Sequence, residues 1–400
     1  MKKIAICTPG FLPVPDIKGG AVEHLLTKIL DINEKRKQLE IDLYTIHDDK
    51  LNNLSYSNVK IHQIKENKFE KIICKILNKL FNIFKINMQA NLYGRKISKL
   101  LKNKKFDYIV IENNMYLFKS ISSRCSKDNR YIYHLHNDIG GNDKPYRLCN
   151  YIANRAEVIV TCSNYLKERF FNVTRFDNIQ VLYNSIELEN FNLENIDIRS
   201  EIRNEWSISD DAFVFMYIGR ISPEKGLYEL VKAFDKVLAK NSNMYLVIVG
   251  EAPDEGFCLN SYYKAVLNIA NKHKKNIIFQ GKKPNEEIPK IMNASDCIIV
   301  PTIIEEAFGI VAIEAMACKK PLIVTNSGGL VEVVNEKCSY IVDKNNIVDE
   351  LIDKIQIISN NKDKALKMGE FGRERIELIE DFHIENYYDN FINILLGINN

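Results

Sequence analysis

Short apolar runs alternate with helix-length segments along almost the whole chain, and that rhythm leaves few folds open. The runs of the first half cover residues 3–8, 41–47, 59–64, 107–112, 130–136, 158–162 and 179–182. Those of the second half cover 213–218, 245–249, 276–279, 297–300, 321–325 and 340–342. Between them lie segments with helical periodicity, among them 21–37, 163–171, 227–239, 257–272, 309–317 and 329–335. Strands separated by helices pair in parallel, because the helix carries the chain back to the starting edge. The pattern therefore predicts an α/β protein with mostly parallel sheets covered by helices on both faces. The rhythm breaks over residues 184–204, a polar stretch rich in Asn and Glu, and the domain boundary is placed there.

At 400 residues, 46% of them hydrophobic and 27% charged, the chain has material for two globular domains. A net charge of only +3 argues against nucleic acid as the main partner. No apolar run has the roughly 18 residues of a membrane span. The start, Lys2 to Thr8, imitates a signal peptide, but Pro9, Pro13, Pro15 and Asp16 break it early, so a buried first strand is expected. Nine scattered cysteines without a C-x-x-C pair suit reduced thiols in a cytoplasm.

The chemistry concentrates after the second-half strands. The run ending at Pro301 is followed by Glu305, Glu306, Phe308 and Gly309, and then by a helix carrying Glu314. A helix N-terminus suits a phosphate, whereas carboxylates accept hydrogen bonds from hydroxyls. Hydroxyls next to phosphate describe a sugar nucleotide. Gly219, Arg220, Lys225 and Gly226 follow the first strand of this half, where a planar guanidinium and an ammonium suit a diphosphate. Gly250 and Gly281 follow the next two strands, and Ser327-Gly328-Gly329 forms a further candidate phosphate-facing turn. In the first half, Gly19 and Gly20 end a Pro-rich loop and open a helix containing Glu23. His134 and His136 share one face of a strand, with His136 at its C-terminal end. The sequence offers no third metal ligand at a recognisable spacing, and it contains no Asp-x-Asp, the carboxylate pair expected of a metal-clamped nucleotide. A nicotinamide dehydrogenase is disfavoured, since no G-x-G-x-x-G follows a strand.

Together these residues resemble the glycosyltransferase group 1 family, retaining enzymes of GT-B architecture. The resemblance is strongest from Gly219 to Glu332, and its most specific element is E-x7-E, here Glu306 to Glu314. It implies two Rossmann-like domains facing an interdomain cleft: 1–187 on the acceptor side, 188–381 for the nucleotide sugar, and a helix in 382–400 returning to the first domain. It implies that Arg220 and Lys225 neutralise the diphosphate, that Glu306 contacts hydroxyls of the transferred sugar, and that Glu314 holds the ribose. Backbone around Phe308, Gly309 and Ile310 would face sugar and phosphate, with Gly19, Gly20, Gly219 and Gly250 lining the donor. His136 matches the family histidine near the reacting face of the sugar. The implied function is metal-independent transfer of a hexose from a nucleoside diphosphate sugar, by default UDP-linked and next GDP-mannose. The acceptor would be a saccharide or lipid-linked saccharide in capsule, lipopolysaccharide or similar surface-glycan synthesis. No cofactor is implied. Two departures concern loop geometry: Asn184-Ser185 where Asn-Gly is frequent, and Ala252 where glycine is frequent. Glu305, one residue off register, reads as a bystander. Alternatives are a nucleotide-sugar epimerase or hydrolase of the same fold, or a non-catalytic partner subunit.

One segment stands apart in charge. Residues 65–105 hold twelve Lys or Arg against two Glu, a net charge of +10 in a chain of +3. Phe69, Ile72, Ile73, Ile76, Leu77, Leu80, Phe81 and Phe84 recur at helical spacing with lysines off the stripe. Such a helix either packs on the N-terminal sheet or docks on an anionic membrane, making the protein peripheral on the inner face of the cell membrane.

Overall fold

The computed structural model describes residues 1–83, 90–140, 143–191, 196–240, 242–251 and 257–397. Phe84 and Ala252 lie outside them. The chain divides into two compact units, Met1–Asn184 with Glu385–Asn400, and Ser185–Ile384. The boundaries expected from sequence, after 187 and after 381, each fall three residues from these junctions. Within the second unit Ile186 bridges to His383, so the chain enters and leaves this unit at one place.

Unit 1 carries strands β1 (Lys2–Cys7), β2 (Leu39–Ile46), β3 (Val59–Ile64), β4 (Tyr108–Glu112), β5 (Tyr131–Leu135), β6 (Val158–Thr161) and β7 (Ile179–Val181). They form one sheet in the order β3-β2-β1-β4-β5-β6-β7, with every pairing parallel. Unit 2 carries β8 (Phe213–Ile218), β9 (Met244–Val249), β10 (Ile277–Gly281), β11 (Cys297–Val300), β12 (Leu322–Thr325) and β13 (Ser339–Val342). Their order is β10-β9-β8-β11-β12-β13, again all parallel. Each unit is thus a doubly wound, Rossmann-like layer structure. Helices cover both faces, so the strand residues are buried on both sides; in β1, Ile4, Ala5, Ile6 and Cys7 are wholly buried. In unit 2 the helix Leu227–Leu238 sets Leu230, Val231, Phe234 and Val237 against Phe213, Phe215 and Leu246.

The topology places the functional edges. Strand order reverses between β1 and β4 in the first sheet and between β8 and β11 in the second. Open α/β sheets bind ligands at the strand C-termini beside such a reversal, where the adjacent loops splay apart. The loops after β8 and β11 carry Arg220, Lys225 and Glu306. Those after β1 and β5 carry Gly19, Gly20 and His136. A surface cavity lined by Lys3, Glu40, Lys60 and Lys104 lies at the opposite, N-terminal edge of the first sheet.

The last helix, Ile384–Leu396, belongs to unit 1 over nearly its whole length. It buries Tyr387, Tyr388, Phe391 and Leu395, which recur at helical spacing. The Tyr388 hydroxyl donates to Asn33 Oδ1 at 2.9 Å, and Lys2 Nζ donates to the Leu395 carbonyl at 2.6 Å.

Two expectations need correction. The polar stretch 184–204, where the domain boundary was placed, is not irregular throughout, because its C-terminal part forms the helix Ile196–Glu205 of unit 2. Arg199 and Arg203 from this helix grip Asp296 at 2.5 and 2.7 Å, and Arg203 has no exposed surface. The two arginines and Asp296 form an ion cluster against the sheet.

The second correction concerns the basic helix, Lys68–Ile83. It is not packed by its apolar stripe. Glu70 pairs with Lys96 at 2.7 Å, and Asn78 bonds the backbone of Ala90, so a polar stripe faces the body. Phe69 (71% exposed), Ile76 (55%) and Ile83 (62%) face solvent with Ile72, Ile73, Leu77 and Leu80. Among the described residues no helix is long and apolar enough to cross a membrane.

Candidate active site

In unit 2 the loops after β8 and β11 are stitched together before any charge is considered. Gly226 closes the short turn Pro223–Lys225 with φ 69°, and a Cβ there would sit 1.9 Å from the Pro301 carbonyl oxygen. Ile303 N and Thr302 Oγ1 both donate to the Glu224 carbonyl, at 3.0 and 3.1 Å. Only glycine permits this approach, and it carries Lys225 across to the β11 loop. There Lys225 Nζ meets Glu306 Oε2 at 2.7 Å, with side chains 25% and 18% exposed. Gly250 makes a similar approach on the other side of β8: its Cβ would lie 1.9 Å from the Gly219 carbonyl oxygen. Arg220 projects further into solvent, 67% exposed, and pairs with Glu224 at 3.4 Å.

Glu306 is fixed by its backbone. Its N–H donates to Ser327 Oγ at 2.9 Å, and its carbonyl accepts from Gly329 N at 2.7 Å. Glu305 is no bystander: its carboxylate accepts from Gly328 N at 2.6 Å and pairs with Lys344 at 2.5 Å. The turn 327–329 is therefore committed to Glu305 and Glu306, and its glycine N–H groups are not turned to a phosphate. The phosphate-facing expectation for this turn is withdrawn for that reason.

Gly309 precedes the helix Ile310–Ala317, which has no side-chain cap and so leaves first-turn N–H donors unsatisfied by its own sequence. The Phe308 ring is buried, 5.8 Å edge-on from Phe382, so only its backbone could face a ligand. Glu314 lies one turn further along. Its carboxylate has no hydrogen bond or ion pair among the described residues, and burial pushes its pKa up to about 8.

In unit 1, Gly19 N donates to Asp16 Oδ1 at 2.6 Å, and the helix Ala21–Arg36 starts from Gly20 without a side-chain cap. The Glu23 carboxylate folds back against Gly20, and burial raises its pKa. His136 is held by its backbone N–H on Asn113 Oδ1 at 3.0 Å. Its ring and that of His134 stand 3.8 Å apart, and both meet Glu112. The Glu112 Oε2 atom lies 3.1 Å from His134 Nδ1 and 3.2 Å from His136 Nε2. Burial would raise the Glu112 pKa, but the imidazoles, His134 foremost, hold it down at about 2. Burial, with His134 beside it, pushes His136 down to about 4.

Glu112 is the third partner that spacing along the chain did not reveal. Its signal was a carboxylate closing an otherwise apolar strand, and parallel register sets it opposite His134. The three groups lie within 4.8 Å of one another, a set able to hold a metal ion. The contacts at 3.1 and 3.2 Å are accounted for by hydrogen bonds alone.

The structure thus brings Lys225 and Glu306 together, and it places Arg220, Gly219, Gly250, Gly309, Ile310 and Glu314 on the same edge of unit 2. Residues 198–375 match the family model described as glycosyl transferases group 1. That segment, most of unit 2, is similar to the family. Relatives include the lipopolysaccharide 1,2-N-acetylglucosaminetransferase of Salmonella typhimurium, 29% identical over 70% of this chain and 73% of that one. The capsular polysaccharide biosynthesis glycosyltransferase CapM of Staphylococcus aureus is 29% identical over 55% of this chain and 56% of its own. Among solved structures, Anabaena HepE in complex with UDP superposes with a TM-score of 0.77 at 19% identity, covering 99% of this chain and all of that one. The fold is that of GT-B glycosyltransferases, and the proteins this chain is similar to are sugar-transferring enzymes.

Proposed function

We propose that this enzyme moves a hexose, with retention and without a metal, from a nucleoside diphosphate sugar to a saccharide or lipid-linked saccharide in bacterial surface-glycan synthesis. The observation that carries the reading is the Lys225–Glu306 pair, 2.7 Å apart at the strand-order reversal of unit 2. A phosphate joined to a sugar needs a cation and a hydroxyl acceptor side by side, and these two supply them. Arg220 extends the positive edge, and the uncapped helix after Gly309 adds N–H donors for phosphate oxygens. Glu314, on the same helix, suits the ribose hydroxyls. Gly19, Gly20 and His136 are assigned to the donor as well.

The leaving diphosphate gathers charge as the glycosidic bond breaks, and preorganised cations aimed at that charge supply most of the acceleration. The sugar becomes oxocarbenium-like. Attack from the face the diphosphate leaves allows a departing phosphate oxygen to take the acceptor proton, so no base on the opposite face is needed. Metal independence is argued from sequence: there is no Asp-x-Asp to clamp a metal–nucleotide. A UDP-linked donor is favoured because HepE is solved with UDP-glucose. The lipopolysaccharide and capsule enzymes among the relatives favour a surface-glycan acceptor.

A thermal-shift screen across nucleoside diphosphate sugars tests the donor site. A ligand at 100 times its Kd stabilises by about 2.7 kcal/mol. No shift with any of them overturns the reading. Glu314 gives this binding a pH sign. Hydroxyls donate to the ionised carboxylate, and its pKa of about 8 keeps it mostly protonated at neutral pH. Donor affinity is therefore expected to rise roughly tenfold from pH 6.5 to 8.5. The stability of the ligand-free protein is expected to follow the opposite trend. A raised carboxyl pKa stabilises below about pH 4.5, and that contribution is lost as pH rises through 8. Glu314→Gln flattens both slopes. Breakdown of the nucleotide sugar at the same rate with and without acceptor would instead select the epimerase or hydrolase reading.

The outward apolar face of the helix Lys68–Ile83 suits an anionic membrane surface, with exposed Lys75 and Lys79 at its flank and a net charge of +10 over residues 65–105. This would place the enzyme peripherally on the cytoplasmic face. Co-sedimentation with phosphatidylglycerol vesicles, and not with phosphatidylcholine, is expected. Each surface cation contributes about 1 kcal/mol, so Lys75→Ala with Lys79→Ala should weaken binding roughly 30-fold. Binding indifferent to salt and to both lysines rules the surface out.

A further inference from the structure

Parallel sheets are ordinarily covered on both faces, and their strands read as continuous apolar runs. The edge of the first sheet departs from this. In β2, Glu40, Asp42 and Tyr44 alternate with apolar residues, and in β3 Lys60 and His62 do the same. Period 2 puts these polar side chains on one face. Parallel register sets Asp42 opposite Lys60, Tyr44 opposite His62 and, from β1, Lys3 opposite Glu40. A cavity of about 640 Å³ is lined by Lys3, Glu40, Asp42 and Lys60 from this face, and by Lys104 and Lys105 from the segment before β4. Its size is that of a small-molecule site, but its charged lining is unlike the mostly apolar wall usual there.

Both carboxylates of this cavity are already committed. Asp42 is buried; its Oδ2 atom accepts from Lys104 Nζ at 2.5 Å and lies 3.1 Å from His62 Nε2. The Tyr44 ring stacks on His62 at 4.6 Å, and its hydroxyl accepts from Lys104 at 3.1 Å. Glu40 pairs with Lys3. Lys60 and Lys105 are exposed and have no hydrogen bond or ion pair among the described residues. Four lysines against two carboxylates leave two positive charges in excess, and these two lysines carry them. We propose that the cavity is a ligand site of unit 1, separate from the loops at its strand C-termini, that takes a phosphate-bearing small molecule on Lys60 and Lys105. Ammonium groups bind phosphate oxygens through charge-assisted hydrogen bonds, whereas an uncharged ligand would gain nothing from the excess charge. Lys104 locked on Asp42, and Lys3 on Glu40, neutralise the carboxylates that would otherwise repel an anion. A free phosphate ester and a lipid headgroup share this chemistry. The inference does not depend on unit 2 binding a sugar nucleotide.

Isothermal titration of the full-length protein with inorganic pyrophosphate, at fixed ionic strength, tests the site. A diphosphate also suits Lys225 and Arg220, so the titration is made in Lys225→Ala, where binding of one pyrophosphate is expected to persist. Adding Lys60→Ala and Lys105→Ala should weaken that binding about 100-fold, the scale of two lost charge-assisted contacts. The same pair in the wild-type background should leave UDP affinity unchanged. Lys99→Ala with Lys102→Ala removes equal charge from exposed positions outside the cavity, and screening should keep its effect within about twofold. All four lysines are exposed, so the variants should fold. No binding in Lys225→Ala, or equal weakening by the two lysine pairs, overturns the proposal. Competition against pyrophosphate separates the sources. Displacement by glucose 1-phosphate assigns a free phosphate ester, displacement by monomeric dihexanoyl phosphatidylglycerol alone assigns a headgroup, and displacement by neither overturns the proposal. A failure of every nucleoside diphosphate sugar to shift melting would count against the donor site of unit 2 and leave this site standing.

Discussion

Lys225→Ala is expected to lower transfer about 100- to 1,000-fold while leaving the protein folded, the usual effect of removing one preorganised donor from a developing negative charge. The lysine reaches its place through a backbone contact, Gly226 against Pro301, that the substitution leaves untouched. The loss should therefore be one of charge and not of loop geometry. Its partner Glu306 keeps 18% of its side-chain surface in solvent, so the unpaired carboxylate costs about 1 kcal/mol of stability. Glu306→Gln should match the loss in rate with an even smaller change in stability, because the amide keeps the size of the side chain. Steady-state transfer from the donor identified by thermal shift, set beside the melting temperature of each variant, checks both. Near-normal turnover in either folded variant overturns the assignment of the pair.

Much of this architecture was legible because parallel strands buried on both faces read as unbroken apolar runs. Runs such as 213–218 and 297–300 coincide with β8 and β11. The spacing of Glu306 and Glu314 around Gly309 likewise marked one loop and one helix. What local sequence could not show was which loops become neighbours. Glu112 and His136 are 24 residues apart and meet only because β4 and β5 pair in parallel register. Glu305 looked redundant because its partner Gly328 is 23 residues away. In the basic helix, periodicity showed which residues share a face. It could not show that the body takes the Glu70 and Asn78 side and leaves the isoleucines outside.

The polar stretch in which the domain boundary was placed yields the largest expected change in stability. Asp296 stands just before β11 and binds Arg199, Arg203 and the N–H of Val214, the last at 2.7 Å. Burial would raise its pKa, but the two guanidinium groups, Arg203 foremost, hold it below the usual carboxylate range. Asp296→Ala leaves the wholly buried Arg203 without a counter-ion, a change that typically costs about 3–5 kcal/mol. The guanidinium keeps its bonds to the carbonyls of Ala294, Asp210 and Ala212, so the helix Ile196–Glu205 should loosen from the sheet before the whole unit melts. The chain has one tryptophan, Trp206, directly after this helix, and its fluorescence therefore reports unit 2. Denaturant unfolding followed at Trp206 should shift strongly in Asp296→Ala and much less in Asp296→Asn, which keeps acceptors for the arginines. The pH sign follows from the depressed pKa. The stabilisation is present above the ordinary carboxyl value near 3.8 and is lost as pH falls through the lower folded value, so the wild type should lose it in acid and Asp296→Asn should not. An unfolding midpoint for Asp296→Ala equal to that of the wild type at neutral pH would show that Arg203 is held by its carbonyls alone.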